Sequence, residues 1–286
     1  MYKYIFLFFI IYIIYKNIAY SIENYTENAM INNINTKPNL FVYWENIDGA
    51  QMPDYIQKCR LTLHKHCNKS FNIIELNEKN IKEYLPTLPI LPPNLLIQQK
   101  VDYYRIMILA KYGGLYIDSD VIIMRDPIEI INKLNEYDFV GFGCTGDTCL
   151  NGYMKPSNAI MASRKDGILI TKILDKLNEK LTNKKIFDYF DLGKFVIWEV
   201  LDEFKNINYK YKYFHYDNSF DGTRDKYGKW VFNDRLFSNK QIDYLHWNMF
   251  FIMVYNSEMK DLKYKKFDDL KNTNFYNFIN KSLNYI

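Results

Sequence analysis

The chain has 286 residues and a mass of 34.5 kDa, enough for one large catalytic-size domain or two small ones and too much for a mini-protein. Hydrophobic residues at 48% and charged residues at 24% are those of a globular protein and exclude global disorder. Lys and Arg number 37 against 33 Asp and Glu, and the nearest basic cluster, KDLKYKK at residues 260–266, is broken by Asp261 and reads as a solvated helix face, so no nucleic acid partner is expected.

Residues 4–15 (YIFLFFIIYIIY) form an uninterrupted apolar run behind Lys3 and ahead of Lys16. The run is shorter than the roughly 20 residues of a spanning helix, but Ile18, Ala19 and Tyr20 extend it if Lys16 snorkels. Ala19 and Ser21 are small residues at the alternate positions that signal cleavage requires. Residues 1–21 are therefore expected to be a signal peptide or a type II signal-anchor, with a buried amino-terminal core helix as the bland alternative. Positive charge on the short leading side keeps an uncleaved tail cytoplasmic. Either membrane reading sends the rest of the chain into the lumen of the secretory pathway (ER/Golgi type), membrane-anchored or secreted. Cys59, Cys67, Cys144 and Cys149 suit that compartment, and their pairing is left open among three connectivities.

Residues 22–37 are polar and aperiodic, as a stem would be, and residues 38–286 are expected to be a single catalytic domain. Residues 39–44 (NLFVYW) read as a buried strand, 55–66 as a helix behind Pro53, and 71–76 as another strand. This alternation predicts an α/β fold: a sheet covered on both faces, with ligand sites at the carboxyl ends of its strands. Pro86, Pro89, Pro92 and Pro93 punctuate a loop. Residues 94–111 carry the strongest helical signal, with Ile97, Val101, Tyr104 and Ile108 at helical spacing and the pair Gly113, Gly114 closing the helix. An extended run follows at 115–117 and continues at 121–124 beyond Asp118, Ser119 and Asp120. Residues 168–181 and 195–204 read as helices, and 217–228 as a Gly- and Asp-rich loop.

Asp118 and Asp120 lie two apart at the end of an extended run, so in strand conformation both carboxylates project to one side. Two anions so close repel, and a hard divalent cation, Mg²⁺ or Mn²⁺, relieves the repulsion while leaving coordination positions for substrate phosphate. The alternative is a pair of exposed turn aspartates. Asp102 and Arg105, three apart on the preceding helix, share a face, where Arg105 either serves the same site or only pairs with Asp102.

The stretch Asp102-Tyr-Tyr-Arg105, then Gly113-Gly114-Leu-Tyr116-Ile-Asp118-Ser-Asp120, resembles the D-x-x-R…Y-G-G-x-Y-x-D-x-D signature of DXD-containing glycosyltransferases. Among them are glycosyltransferase family 32, with initiating mannosyltransferases and capsular polysaccharide synthesis enzymes, and more distantly the glucosylating clostridial toxins. The resemblance spans roughly residues 38–246 and extends to the strand ending in Trp44 and to the Asn158 segment. It implies a GT-A type nucleotide-diphospho-sugar transferase fold, a mixed, mostly parallel sheet flanked by helices. It further implies metal-dependent, retaining transfer of a hexosyl unit from a UDP- or GDP-sugar to a glycan, protein or lipid acceptor. Asp118 and Asp120, joined by His246, would hold Mn²⁺ or Mg²⁺; Asp102 and Arg105 would complete the catalytic set. Trp44, Asp102, Arg105, Tyr116 and Asn158 would contact the donor, although strand packing accounts equally well for Tyr116, core packing for Trp44 and a local bond for His246. Two departures stand out: Gly193-Lys194 replaces a Gly-Pro pair common in such enzymes, and the late His motif survives only as His246-Trp247. The alternative function is a membrane-tethered nucleotide-sugar or glycan binding module without efficient turnover.

Overall fold

The computed structural model describes residues 37–142, 155–183, 186–204, 213–216, 233–242, 249–254, 256 and 264–284. The apolar run at 4–15, the stem, Cys144, Cys149 and His246 lie outside the described residues. Among the described residues no helix is long and apolar enough to cross a membrane.

From Pro38 onward the chain forms one compact unit. Strands β1 (Asn39–Tyr43), β2 (Asn72–Leu76), β3 (Gly114–Ile117), β5 (Phe139–Phe142), β6 (Ser157–Ser163) and β7 (Tyr213–Tyr216) build one sheet in the order β2-β1-β3-β6-β5-β7. β1 is parallel to β2 and β3, β5 is parallel to β7, and only β6 runs against its neighbours. The mixed, mostly parallel sheet flanked by helices is the α/β arrangement expected from the sequence.

Side-chain alternation assigns each strand residue a face. Phe41, Tyr43, Tyr116, Phe139 and Met161 enter one core with helices α3 (Ile97–Tyr112), α5 (Ile168–Asn183) and α6 (Lys194–Phe204). Leu40, Val42, Leu115, Ile117, Val140, Ile160 and Ala162 enter the other, beneath α1 (Asp54–Cys67) and α4 (Ile128–Lys133). Two apolar faces explain why these strands read as continuous hydrophobic runs. The short helix α2 (Ile81–Tyr84) connects β2 toward α3.

Two expectations are corrected here. Residues 121–124 do not prolong β3: the chain turns at Ser119 and Asp120, and β4 (Val121–Ile123) pairs antiparallel with β8 (Phe251–Met253) in a separate two-stranded sheet. That ribbon packs in a third core with α1, α7 (Asn233–Leu236) and α8 (Asn274–Asn284), whose Phe275 and Ile279 are buried. In α3, the expected stripe divides: Ile108 is fully buried, while Ile97, Val101 and Tyr104 are partly buried and pack against the same core. The enclosed face carries Gln99, Asp102, Tyr103, Arg105, Ile106 and Leu109. Hydrophobic periodicity missed part of the inner face because three of its members are polar.

The glycine pair behaves as expected. Gly113 and Gly114 have φ of 65° and 103°, and a Cβ on Gly113 would lie 2.5 Å from the backbone nitrogen of Lys165. Left-handed backbone and close approach both demand glycine, so the chain reverses abruptly from α3 into β3. Cys59 and Cys67 are free and buried, and burial pushes both thiols up, away from reactivity. His66, in the last turn of α1, is half-buried and bonds the hydroxyl and carbonyl of Ser282 at 3.0 and 3.1 Å, docking α1 on α8.

Candidate active site

The site forms where β1, β3 and β6 meet. β1 and β3 run parallel, so Trp44 and Asp118, each the residue after its strand, emerge at the same edge. β6 runs antiparallel to β3, so its beginning lies beside the end of β3, and the Asp118 amide donates to the Ala159 carbonyl at 2.9 Å. That places Asn158 next to Asp118. α3, returning over this edge, supplies Asp102 and Arg105.

These groups are connected. Arg105 bonds the Asp118 carboxylate at 3.0 Å and the Asp102 carboxylate at 3.3 Å, and donates to the carbonyls of Asn158 and, at 3.4 Å, Val101. The Asn158 amide donates to Asp102 at 2.6 Å. Asp102 and Arg105 are only 7% and 5% exposed, so this is a buried charged network in which each ion has partners. Arg105 also lies over the ring of Tyr116, 4.8 Å from its centroid. Tyr116 itself is enclosed, and its hydroxyl has no hydrogen-bond partner among the described residues.

The carboxylates do not project from a strand. Asp118 follows β3 and Asp120 lies in the turn, so their juxtaposition comes from a reverse bend rather than strand alternation. Ser119 between them is pinned: its hydroxyl donates to the Tyr43 carbonyl at 2.6 Å and accepts from buried Arg60 at 3.3 Å, while Arg60 also pairs with Glu75. Asp120 is tied to the carboxyl-terminal part of the chain, its carboxylate accepting from the Asn256 amide at 2.7 Å and its carbonyl from the Val254 amide at 2.9 Å.

Asp118 and Asp120 are hemmed in by protein yet partly open to solvent, with 28% of the Asp118 side chain accessible. Burial, then the charge of Asp118, pushes Asp120 up to about 7. Burial pushes Asp102 up to about 7 despite the guanidinium beside it, and Asp118 is also raised by burial. Among the described residues, Asp120 is thus a carboxylate lacking a cationic partner within ion-pair distance, next to a second carboxylate. Two hard oxygen donors under mutual repulsion fit a divalent Mg²⁺ or Mn²⁺ ion. Among the described residues no group of three or more His, Cys, Asp and Glu side chains gathers to hold a metal, so the protein part of such a site there is these two carboxylates.

Trp44 is half-buried, with its indole N–H donating to the Asn46 side chain at 2.9 Å, and packs at the rim of the third core. Three contributors were not legible as site residues. Arg60 steadies the turn from 59 residues away. Asn256 caps Asp120 from 136 residues away, and no local pattern marks it. Gly193 approaches so closely that a Cβ there would lie 2.5 Å from Asp102 Oδ2 and 2.7 Å from Asn158 Nδ2. Its only signal was its place in the altered Gly-Pro pair.

A family model described as capsular polysaccharide synthesis protein matches residues 9–221 of the 286. The chain belongs to this family. With the D-x-x-R and D-x-D residues folded into one site, its class of activity is glycosyl transfer. No curated protein matches it. Among solved structures it is similar to the PaToxG glycosyltransferase, at 15% identity over 60% of this chain and 70% of that one, with a TM-score of 0.45. It is also similar to the glycosyltransferase GlyE of Streptococcus pneumoniae TIGR4, at 13% identity over 88% of this chain and 65% of that one, TM-score 0.44. A third similar structure, the apo form of the bifunctional glycosyltransferase WbbM, has 12% identity over 87% of this chain and 52% of that one, TM-score 0.44. The chain thus spans about half of WbbM and just under two thirds of GlyE.

Proposed function

We propose that this protein transfers a hexosyl unit from a UDP- or GDP-sugar to a glycan, protein or lipid acceptor, with retention of configuration and dependence on Mn²⁺ or Mg²⁺. The observation that carries the proposal is the asymmetry of the paired aspartates: Arg105 pairs with Asp118, while the Asp120 carboxylate is met by one backbone amide and by no cation within ion-pair distance among the described residues. Asp118 and Asp120 would hold the ion, which supplies Lewis-acid stabilisation of charge on the departing nucleoside diphosphate. His246 as a further ligand, outside the described residues, belongs to the same proposal.

The remaining residues bind and orient. Arg105, with its fork committed to Asp102, Asp118 and the Asn158 carbonyl, fixes the angle at which Asp118 faces the site. Asp102 holds the Asn158 amide, leaving that group's second N–H and its carbonyl for a sugar or ribose hydroxyl. Trp44, at the same sheet edge on the β1 side, presents an aromatic face for the base. The apolar run behind Lys3 supports a domain carried into the secretory lumen by a cleaved signal or an uncleaved anchor, separated from it by the stem.

A panel of UDP- and GDP-sugars, each incubated with the purified protein with and without Mn²⁺ after exhaustive chelation, tests this. Metal-dependent release of UDP or GDP from at least one donor is expected. Release from none, or equal release after chelation, overturns the proposal.

A further inference from the structure

Gly193 joins the site to an aromatic ledge that the reaction chemistry does not use. The segment ahead of α6 is firmly built. The Gln99 side chain donates to the carbonyls of Phe187 and Asp188 at 3.3 and 3.0 Å, the Asp188 amide donates to the Asp191 carboxylate at 2.7 Å, and the Gly193 and Phe195 amides both turn back to the Phe190 carbonyl. On this rigid turn Phe190 and Phe195 are 41% and 37% exposed. Their rings lie 5.7 Å apart, and Phe195 lies 5.5 Å from Trp198. The Trp198 indole N–H donates to the Pro156 carbonyl at 2.7 Å, two residues before Asn158, which fixes the ring at the site's border. Lys194 places its ammonium 3.6 Å from the Phe190 ring centroid and 5.5 Å from that of Trp198, with no carboxylate within ion-pair distance among the described residues.

Exposed phenylalanines on an ordered turn, beside a buried polar site, mark a surface that gains by being covered. A pyranose ring has the matching chemistry: an apolar C–H face for the rings and a rim of hydroxyl oxygens for an ammonium with unused protons. Topology separates the ledge from the donor's base. Trp44 follows β1 on one side of β3, whereas Gly193, Pro156 and Asn158 lie on the β6 side.

We propose that Phe190, Lys194, Phe195 and Trp198 form an acceptor subsite that takes a pyranose unit of a glycan, adjoining the sugar-transfer site at Gly193. The assignment rests on the glycosyl-transfer reading. It selects a glycan over a bare protein or lipid acceptor.

The test is binding of the full chain to an array of defined oligosaccharides, run beside donor hydrolysis by the same wild-type preparation. Wild type is expected to bind at least one pyranose oligosaccharide. Phe190→Ser and Phe195→Ser, which replace exposed side chains and should melt as wild type, are expected to weaken that binding at least tenfold. Phe195→Tyr, which keeps the ring, should retain it, as should Leu61→Ser, an exposed apolar residue on α1. The subsite is overturned if wild type binds no oligosaccharide, or if the serine variants at Phe190 and Phe195 bind as wild type. It is also overturned if those variants lose only binding to phosphatidylcholine–phosphatidylglycerol vesicles, which would make the ledge a membrane contact. If wild type hydrolyses a donor while array binding survives both serine substitutions, the subsite falls and glycosyl transfer stands. If no donor is hydrolysed but binding falls in the variants, the subsite stands and glycosyl transfer falls.

Discussion

The two sides of the site are built on opposite terms. On the α3–β6 side, Asp102, Arg105, Asn158 and the near carboxylate Asp118 satisfy one another in a network whose Asp102 and Arg105 are buried. On the β4–β8 side, Asp120 is held by backbone amides from the carboxyl-terminal part of the chain, and no cation lies within ion-pair distance of it among the described residues. A closed network stabilises and aligns. An uncompensated carboxylate costs stability in isolation and is retained where a ligand completes it. The contrast separates substitutions that should damage the fold from those that should damage only the reaction.

Asp120→Asn gives the sharpest test of that separation. Transfer should fall on the order of 10²-fold or more, comparable to loss of one preorganised electrostatic contact. Because the change removes a repulsion, the metal-free variant should melt at or above the wild-type temperature; a large fall in melting temperature would erase the distinction between the two sides. Arg105→Lys attacks the closed side. Charge remains but the fork that joins Asp102 to Asp118 is lost, so both stability, by about 1–3 kcal/mol, and donor turnover should fall. Denaturant unfolding beside donor hydrolysis measures the two effects, and loss of turnover alone would mean that the network is not structural. Gly193→Ala should likewise cost about 1–3 kcal/mol, because the new methyl group meets Asp102 and Asn158. A crystal structure of that variant with Asp102 undisplaced would contradict the close approach.

The pH dependence is smaller and its sign is fixed. Burial raises Asp102 to about 7 from an ordinary value of 3.8, so its contribution to stability is fully present below about 4 and is lost as pH rises through about 7. Melting temperatures across this window should shift in favour of Asp102→Asn relative to wild type, then level off; a gap independent of pH would show that Asp102 is not held in this way. The least effect is expected from His66→Gln, which weakens the α1–α8 contact at Ser282 by about 1 kcal/mol without altering donor hydrolysis.

β1, α1, β2, α3 and β3, and later α5 and α6, were legible because strand and helix signals there are local: apolar runs with flanking Pro or Gly, and the pair Gly113 and Gly114 whose backbone only glycine adopts. α2, α4, β5, β6 and α8 went unread. The α3 signal located the helix but not the whole of its inner face, since a site helix also turns Gln99, Asp102 and Arg105 inward.

By itself the sequence determined which residues the candidate site would bring together. Asp102 and Arg105 share a helical face at three-residue spacing, and Asp118 and Asp120 are too close along the chain to be far apart in space. Only the tertiary structure decided how those residues are used. Whether a carboxylate is neutralised depends on partners brought from elsewhere in the chain, Asn158 across the antiparallel pairing of β6 with β3, Arg60 from α1, Asn256 beyond β8 and Gly193 ahead of α6. Contacts of that kind span 35 to 136 residues by sequence number, Gly193 to Asn158 and Asp120 to Asn256, and are set by sheet order and helix packing, which no local spacing encodes.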